Sequence, residues 1–313
     1  MTNMPIGPDT ELTLICGDLR LTVSPFGASM RGLSRSVGAE TQEIITSYSG
    51  AKNKVGGQGD VLIPFPGRVR DGRYAFEGRE HQMVKNDKET PSAIHGFLRS
   101  VIWEQQALYE DAVTFATSFE GDAHAGYPFA LRAQVTYTLS RTGFRCEFQI
   151  QNIGLGDAPV GAGFHPYLTV GAGLIDGNLL HVPFGSIQEY KNLLPTGALL
   201  PVDGSPFDFR QPRAIGETVF NTCYLDPTRD EAGLAHIRLS NAQTGRAVTV
   251  SLDRSCNYVV LYSGDPLPEA HRRRALAIEP MTCGTDALNH PAWGLVTLGA
   301  GERLSGSWEV TPE

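Results

Sequence analysis

The sequence predicts an all-β fold in a single domain covering residues 1–313. Three observations predict it. Short segments alternate apolar and polar residues with the period of a half-buried strand. The 35 glycines and 20 prolines are spread throughout and cut the chain into short pieces. Helical periodicity sustained over about ten residues is almost absent, so the pattern is that of a sandwich or barrel.

The elements follow in order. Leu12–Cys16, Leu19–Val23 and Ala112–Thr117 alternate and read as strands. Leu131–Leu139 and Gly143–Ile150 flank Ser140-Arg141-Thr142 and read as a hairpin. Ala235–Leu239 with Ala247–Leu252, then Tyr258–Tyr262 and Ala275–Glu279, continue the series. No low-complexity linker, charge block or internal repeat divides the chain. Arg272-Arg273-Arg274 is the only like-charge run and reads as a solvated turn before a strand.

Composition narrows the function. Hydrophobic residues are 41% and charged residues 19%, enough apolar material for a core, and the net charge is −8. An acidic balance speaks against nucleic acid and against a polybasic membrane patch, and favours a neutral or weakly polar ligand. The start of the chain has neither a basic nor an apolar leader region, and no apolar run approaches ~18 residues. The five cysteines are widely spaced with no CxxC pair, as expected of reduced thiols in a cytoplasmic protein.

Three titratable residues share one pattern: apolar residues before, Gly or Pro directly after. They are His95 in Ala93-Ile94-His95-Gly96-Phe97, His165 in Gly163-Phe164-His165-Pro166-Tyr167, and Glu279 in Ala277-Ile278-Glu279-Pro280-Met281. Proline removes a ladder donor, so His165 belongs at a strand end, edge or bulge, where its imidazole turns into a cleft. Glu279 is expected to end its strand at a sheet rim. Two imidazoles and a carboxylate converging on a cleft are suited to moving protons on and off a polar substrate. Two His and one Glu also match a catalytic zinc shell, but no HExxH spacing is present, and no metal is expected.

Longer motifs add a resemblance. Gln58-Gly59-Asp60-Val61-Leu62-Ile63-Pro64-Phe65-Pro66-Gly67-Arg68, Asp71–Gly78, His95-Gly96 with Trp103 downstream, Gly126-Tyr127-Pro128-Phe129, His165-Pro166-Tyr167 and Glu279-Pro280 occur in register. Together they resemble the aldose 1-epimerase (galactose mutarotase) family along nearly the whole chain. The resemblance implies a galactose mutarotase-like β-supersandwich with a sugar cleft on its concave face. It also implies interconversion of α and β anomers of a free aldose without a cofactor. By that likeness Glu279 is the general base at the C1 hydroxyl and His165 the general acid at the ring oxygen. His95 bonds the ring oxygen or a neighbouring hydroxyl, while Arg68, Asn221 and Tyr167 bind substrate. A carboxylate beside an imidazolium favours both charged forms, so Glu279 is expected ionised and His165 protonated. The implied partner is a monosaccharide, with no nucleic acid or membrane, acting on a monomer or homodimer.

Two positions depart from the family pattern. Gly67 stands where the family usually has Asn, and Asn221 where it has a sugar-binding aspartate; Asp226 is the alternative carboxylate if the alignment slips. Asn keeps an acceptor and adds a donor but drops the charge. Two other functions fit the same fold. A hexose-6-phosphate 1-epimerase needs cations for the phosphate, from Arg68 with Arg70, Arg73 or Arg99. The net charge and the lack of an evident arginine cluster near His165 weigh against it. A non-catalytic sugar-binding or sensory protein needs no matched acid and base, so the set His95, His165 and Glu279 weighs against that.

Overall fold

The computed structural model describes residues 7–121, 123–171 and 173–313. Its two main sheets are antiparallel and packed face to face, one of twelve strands and one of nine among the described residues. The alternation read from the sequence is what packs them. In Leu131–Leu139, Leu131, Ala133, Val135, Tyr137 and Leu139 point inward; in Phe144–Asn152, so do Phe144, Cys146, Phe148 and Ile150. The two strands pair from Leu139↔Phe144 to Leu131↔Asn152, closing the expected hairpin around Ser140–Gly143.

One aromatic stack ties the sheets together. Phe164, on a two-residue strand of the larger sheet, lies 5.4 Å from Trp308 and 5.4 Å from Phe148, both on the smaller sheet. Burying one such ring stabilises by roughly 1.5–3 kcal/mol. Phe164 directly precedes His165, so this anchor fixes the backbone from which the imidazole projects the other way.

The strand patterns predicted elsewhere hold, with ends within a few residues: Leu12–Cys16, Leu19–Ser24, Ala112–Phe119, Ala235–Asn241, Arg246–Leu252 and Tyr258–Tyr262. One boundary is corrected. Glu279 does not end its strand, which runs Leu276–Met281 through Pro280. The physical reason is a gap in the neighbouring strand. Ile278 N–H donates to Pro166 O, and the nitrogen of Pro280 faces the same side two residues on. There the adjacent chain is interrupted between Gly163–Phe164 and Tyr167–Leu168. Pro280 therefore forfeits no ladder bond, and Glu279 sits inside a sheet rather than on its rim.

The five cysteines are unpaired. Among the described residues no helix is long and apolar enough to cross a membrane.

Candidate active site

The larger sheet carries a cleft of about 450 Å³ on the face turned away from the sandwich core. Register puts its side chains in rows. Val260 lies opposite Glu279 and Cys223 opposite Val260; Asn221 lies opposite Tyr262, which pairs with Ala277, which pairs with Tyr167. Alternate residues Val259, Leu261, Leu276 and Ile278 face the core. The period of 2 thus delivers Glu279, Tyr262 and Asn221 to the cleft and aliphatics to the interior.

His165 and Glu279 meet at its floor, with Nε2 3.4 Å from Oε1 and the two residues 4% and 3% exposed. His165 is held from three sides. Its N–H donates to Asp60 O at 3.1 Å and its carbonyl accepts from Gly59 N–H at 2.9 Å. Tyr167 stacks on its ring at 5.1 Å. Gly57 packs on its other edge, where a Cβ would stand 3.1 Å from Cδ2.

His95 lies edge-on to His165, ring centroids 5.6 Å apart. Its backbone is in the left-handed region, φ 62°, a conformation that a non-glycine residue holds only when its surroundings fix it. The fixing groups are on Gly67, whose carbonyl accepts from His95 N–H at 2.9 Å and whose N–H donates to His95 Nδ1 at 3.2 Å. An accepting Nδ1 leaves the proton on Nε2. Burial, then the charges of His165, Arg99, Arg68 and Lys54, push His95 well below its ordinary value. It is a neutral N–H donor.

Burial also dominates the central pair. It raises Glu279 well above the usual carboxylate range, with Arg68 opposing, and lowers His165 to about 3, with Arg99 and Lys54 adding to the fall. Desolvation thus opposes the charge-separated pair that proximity alone favours, and in either arrangement one proton serves both groups.

Arg68 is oriented by two carboxylates, Nε to Asp87 at 2.8 Å and Nη2 to Glu89 at 2.7 Å. Burial alone would raise Asp87, but the Arg68 and Thr90 hydrogen bonds outweigh it and leave Asp87 low.

Gly67 explains its own departure from Asn. At φ 66°, a Cβ there would meet Thr285 Oγ1 at 2.6 Å, and that hydroxyl accepts from Tyr190 at 2.7 Å. Gln188 clasps the Thr285 backbone from both sides, accepting from its N–H and donating to its carbonyl. Tyr190 and Thr285 line the cleft where an Asn side chain would otherwise start.

The expected site residues thus fall in two places. Glu279, His165, His95, Arg68 and Asn221 line one cleft. Tyr167 lies behind it, 3% exposed, its hydroxyl donated to Gly56 O at 2.7 Å. Asp226 is exposed at the far end of the Asn221–Pro227 strand, away from the cleft wall. Of the arginines considered for an anion, Arg70 and Arg73 are surface residues and Arg99 enters the cleft. Lys54 joins it there, so cations do stand beside His165, contrary to expectation. Lys54, Asp87, Tyr190 and Thr285 carried no local signal; only the tertiary fold assembles them. A second depression of about 450 Å³, on the outer face of the smaller sheet between Gln134, Arg145 and Ser305, contains no histidine. Among the described residues no cluster of three His, Cys, Asp or Glu is arranged to hold a metal.

The family model described as Aldose 1-epimerase matches residues 11–311. The uncharacterized protein YihR of Escherichia coli K12 is 32% identical over 291 residues, covering 92% of this chain and 89% of that one. Rat (Rattus norvegicus) galactose mutarotase is 26% identical over 271 residues, covering 79% and 76%. The crystal structure of the GalM/aldose epimerase homologue from C. elegans superposes with a TM-score of 0.86 at 18% identity, covering 97% and 98%, which establishes the galactose mutarotase-like fold. With a family model matching almost end to end, the chain belongs to the aldose 1-epimerase family.

Proposed function

We propose that this protein interconverts the α and β anomers of an aldose by opening and reclosing its ring. One observation carries the reading: a buried carboxylate and a buried imidazole 3.4 Å apart at the floor of a sugar-sized cleft.

The reaction needs one proton removed from the C1 hydroxyl and one added to the ring oxygen. Both oxygens are bonded to C1, so the base and the acid must stand side by side. Glu279 takes the hydroxyl proton while His165 protonates the ring oxygen, and the hemiacetal C–O bond breaks to give the aldehyde. Rotation about C1–C2 presents the other carbonyl face. The roles of the two residues then reverse: His165 takes the proton back from the C5 hydroxyl as that oxygen attacks C1, and Glu279 returns its proton to the carbonyl oxygen. The working form is carboxylate with imidazolium, which burial by itself disfavours. A polar substrate shifts the balance by hydrogen-bonding to the charged form. His95 offers its Nε2–H to the ring oxygen or a neighbouring hydroxyl. Arg68, braced by Asp87 and Glu89, presents its remaining N–H groups to ring hydroxyls.

The test is exchange NMR at anomeric equilibrium, or polarimetry of freshly dissolved α-aldoses, with wild type and Glu279→Gln. Acceleration that disappears in the variant supports the reading. Binding of sugars with no acceleration by wild type replaces it with the sugar-binding alternative.

A further inference from the structure

Building on the epimerase reading, we propose that the substrate is an aldose bearing an anionic group on the carbon outside the ring, held by Lys54 and Arg99. The two cations enter the cleft from different segments and share one acid. Lys54 Nζ is 2.7 Å from Asp60 Oδ1 and Arg99 Nη1 is 3.2 Å from Asp60 Oδ2. The Asp60 side chain is fully buried, whereas those of Lys54 and Arg99 are 21% and 20% exposed. Two cations against one carboxylate leave this group at +1. Arg68 is the opposite case, one cation against Asp87 and Glu89, for −1. Lys88 lies on the same loop as those two acids and also lines the cleft. The cleft is therefore divided, with excess positive charge on one wall only.

That wall is the one behind the acid. The backbone carbonyl of Asp60 holds the His165 N–H. Arg99 and Lys54 are the charges that act on His165, while Arg68 is the charge that acts on Glu279. In a pyranose the ring oxygen is bonded to C1 on one side and to C5 on the other, and C5 carries the exocyclic carbon. With the ring oxygen at His165 and O1 at Glu279, the exocyclic group projects toward Lys54 and Arg99. A neutral hydroxymethyl group offers these two half-buried cations a single uncharged acceptor. A phosphate, sulfonate or carboxylate supplies acceptors for their free N–H groups in charge-assisted bonds. An anion there would also offset the field that disfavours protonated His165, so binding and the population of the acid form rise together.

The experiment measures anomer exchange by NMR with glucose and with its C6-phosphate, C6-sulfonate and C6-carboxylate forms. The enzymes are wild type, Lys54→Gln, Arg99→Gln and Arg99→Lys. Each glutamine variant leaves Asp60 one cation, and melting temperatures confirm folding. The expected result is a kcat/KM for one anionic sugar about 100-fold or more above glucose. Lys54→Gln and Arg99→Gln shrink that ratio at least about tenfold, mainly through KM, and Arg99→Lys recovers part of it. The ranking of the three anions identifies the group. Turnover of glucose as good as that of every anionic sugar overturns the proposal and leaves the epimerase reading standing. A preference untouched by both glutamine variants also overturns it, since the anion then binds elsewhere. No exchange with any of the four sugars removes the epimerase reading and this proposal with it.

Discussion

His165 Nε2 and Glu279 Oε1 face each other at 3.4 Å inside the larger sheet, and one proton serves both. In the proposed mechanism the two act as a unit, because ring opening requires gain and loss of a proton at two oxygens on one carbon. Glu279→Gln keeps the shape and removes the base. We expect kcat to fall about 10²–10⁴-fold with little change in KM. His165→Asn should lose a similar amount. The double variant should be hardly worse than either single one, because groups acting as a unit are not additive. Steady-state rates of the three variants check this; additive losses would mean two independent roles.

The shared proton also sets how stability varies with pH. Unfolded, Glu279 titrates near 4.5 and His165 near 6.5. Folded, burial raises Glu279 well above 4.5 and lowers His165 to about 3. Between pH 4.5 and 6.5 the raised Glu279 and the lowered His165 act in opposite directions on the proton balance, so their contributions to the slope offset. Above pH 6.5 the unfolded chain has lost both protons, whereas burial favours the protonated Glu279 of the folded one. Its contribution then falls as pH rises toward the folded value of Glu279. Below 4.5 the unfolded chain binds two protons against one, and stability falls again until about pH 3. Melting temperature against pH for wild type and Glu279→Gln isolates the alkaline limb. Wild type should lose stability above pH 6.5 relative to the variant, and parallel curves would refute the assignment.

Gly67 is a position where the family's usual residue no longer fits. An added Cβ meets Thr285 Oγ1 at 2.6 Å, and φ is 66°. We expect Gly67→Ala to cost about 2–4 kcal/mol from the left-handed backbone and the crowding together. Adding Thr285→Ala should recover part of that, because it removes the hydroxyl in the way. A double-mutant cycle by chemical denaturation measures the coupling. A Gly67→Ala variant as stable as wild type would show that Thr285 and Tyr190 yield freely.

The fold was legible because its strands are half-buried. Leu131–Leu139 and Phe144–Asn152 display their inward faces as plain alternation, and their register follows from the turn between them. Strands without that alternation were missed. Leu194–Pro201 is mostly exposed, and Ser29–Val37 is buried on both faces at its start. In the site, residues flanked by Gly or Pro announced themselves, as with His95 and His165. Lys54, Asp87 and Thr285 did not, because their partners lie in remote segments and nothing local distinguishes them from surface residues. Local sequence also names the two groups of the central pair without showing that both are nearly excluded from water.

Tyr167 gives a final discriminating case, because motif and structure assign it different work. The motif places it in substrate binding. The structure puts its ring against His165 at 5.1 Å and its hydroxyl on Gly56 O. A ring that acts by holding the imidazole should tolerate loss of the hydroxyl. Tyr167→Phe should therefore lower stability by about 0.5–1.5 kcal/mol, the net worth of one hydrogen bond, and leave KM essentially unchanged. Tyr167→Ala removes the stacking surface and should lower kcat more than it raises KM, because His165 loses its alignment. Kinetics of the two variants with one sugar separate the roles. A KM rise in Tyr167→Phe matching the loss of a direct sugar contact would return Tyr167 to the binding surface, and would require the Gly56 segment to move when substrate enters.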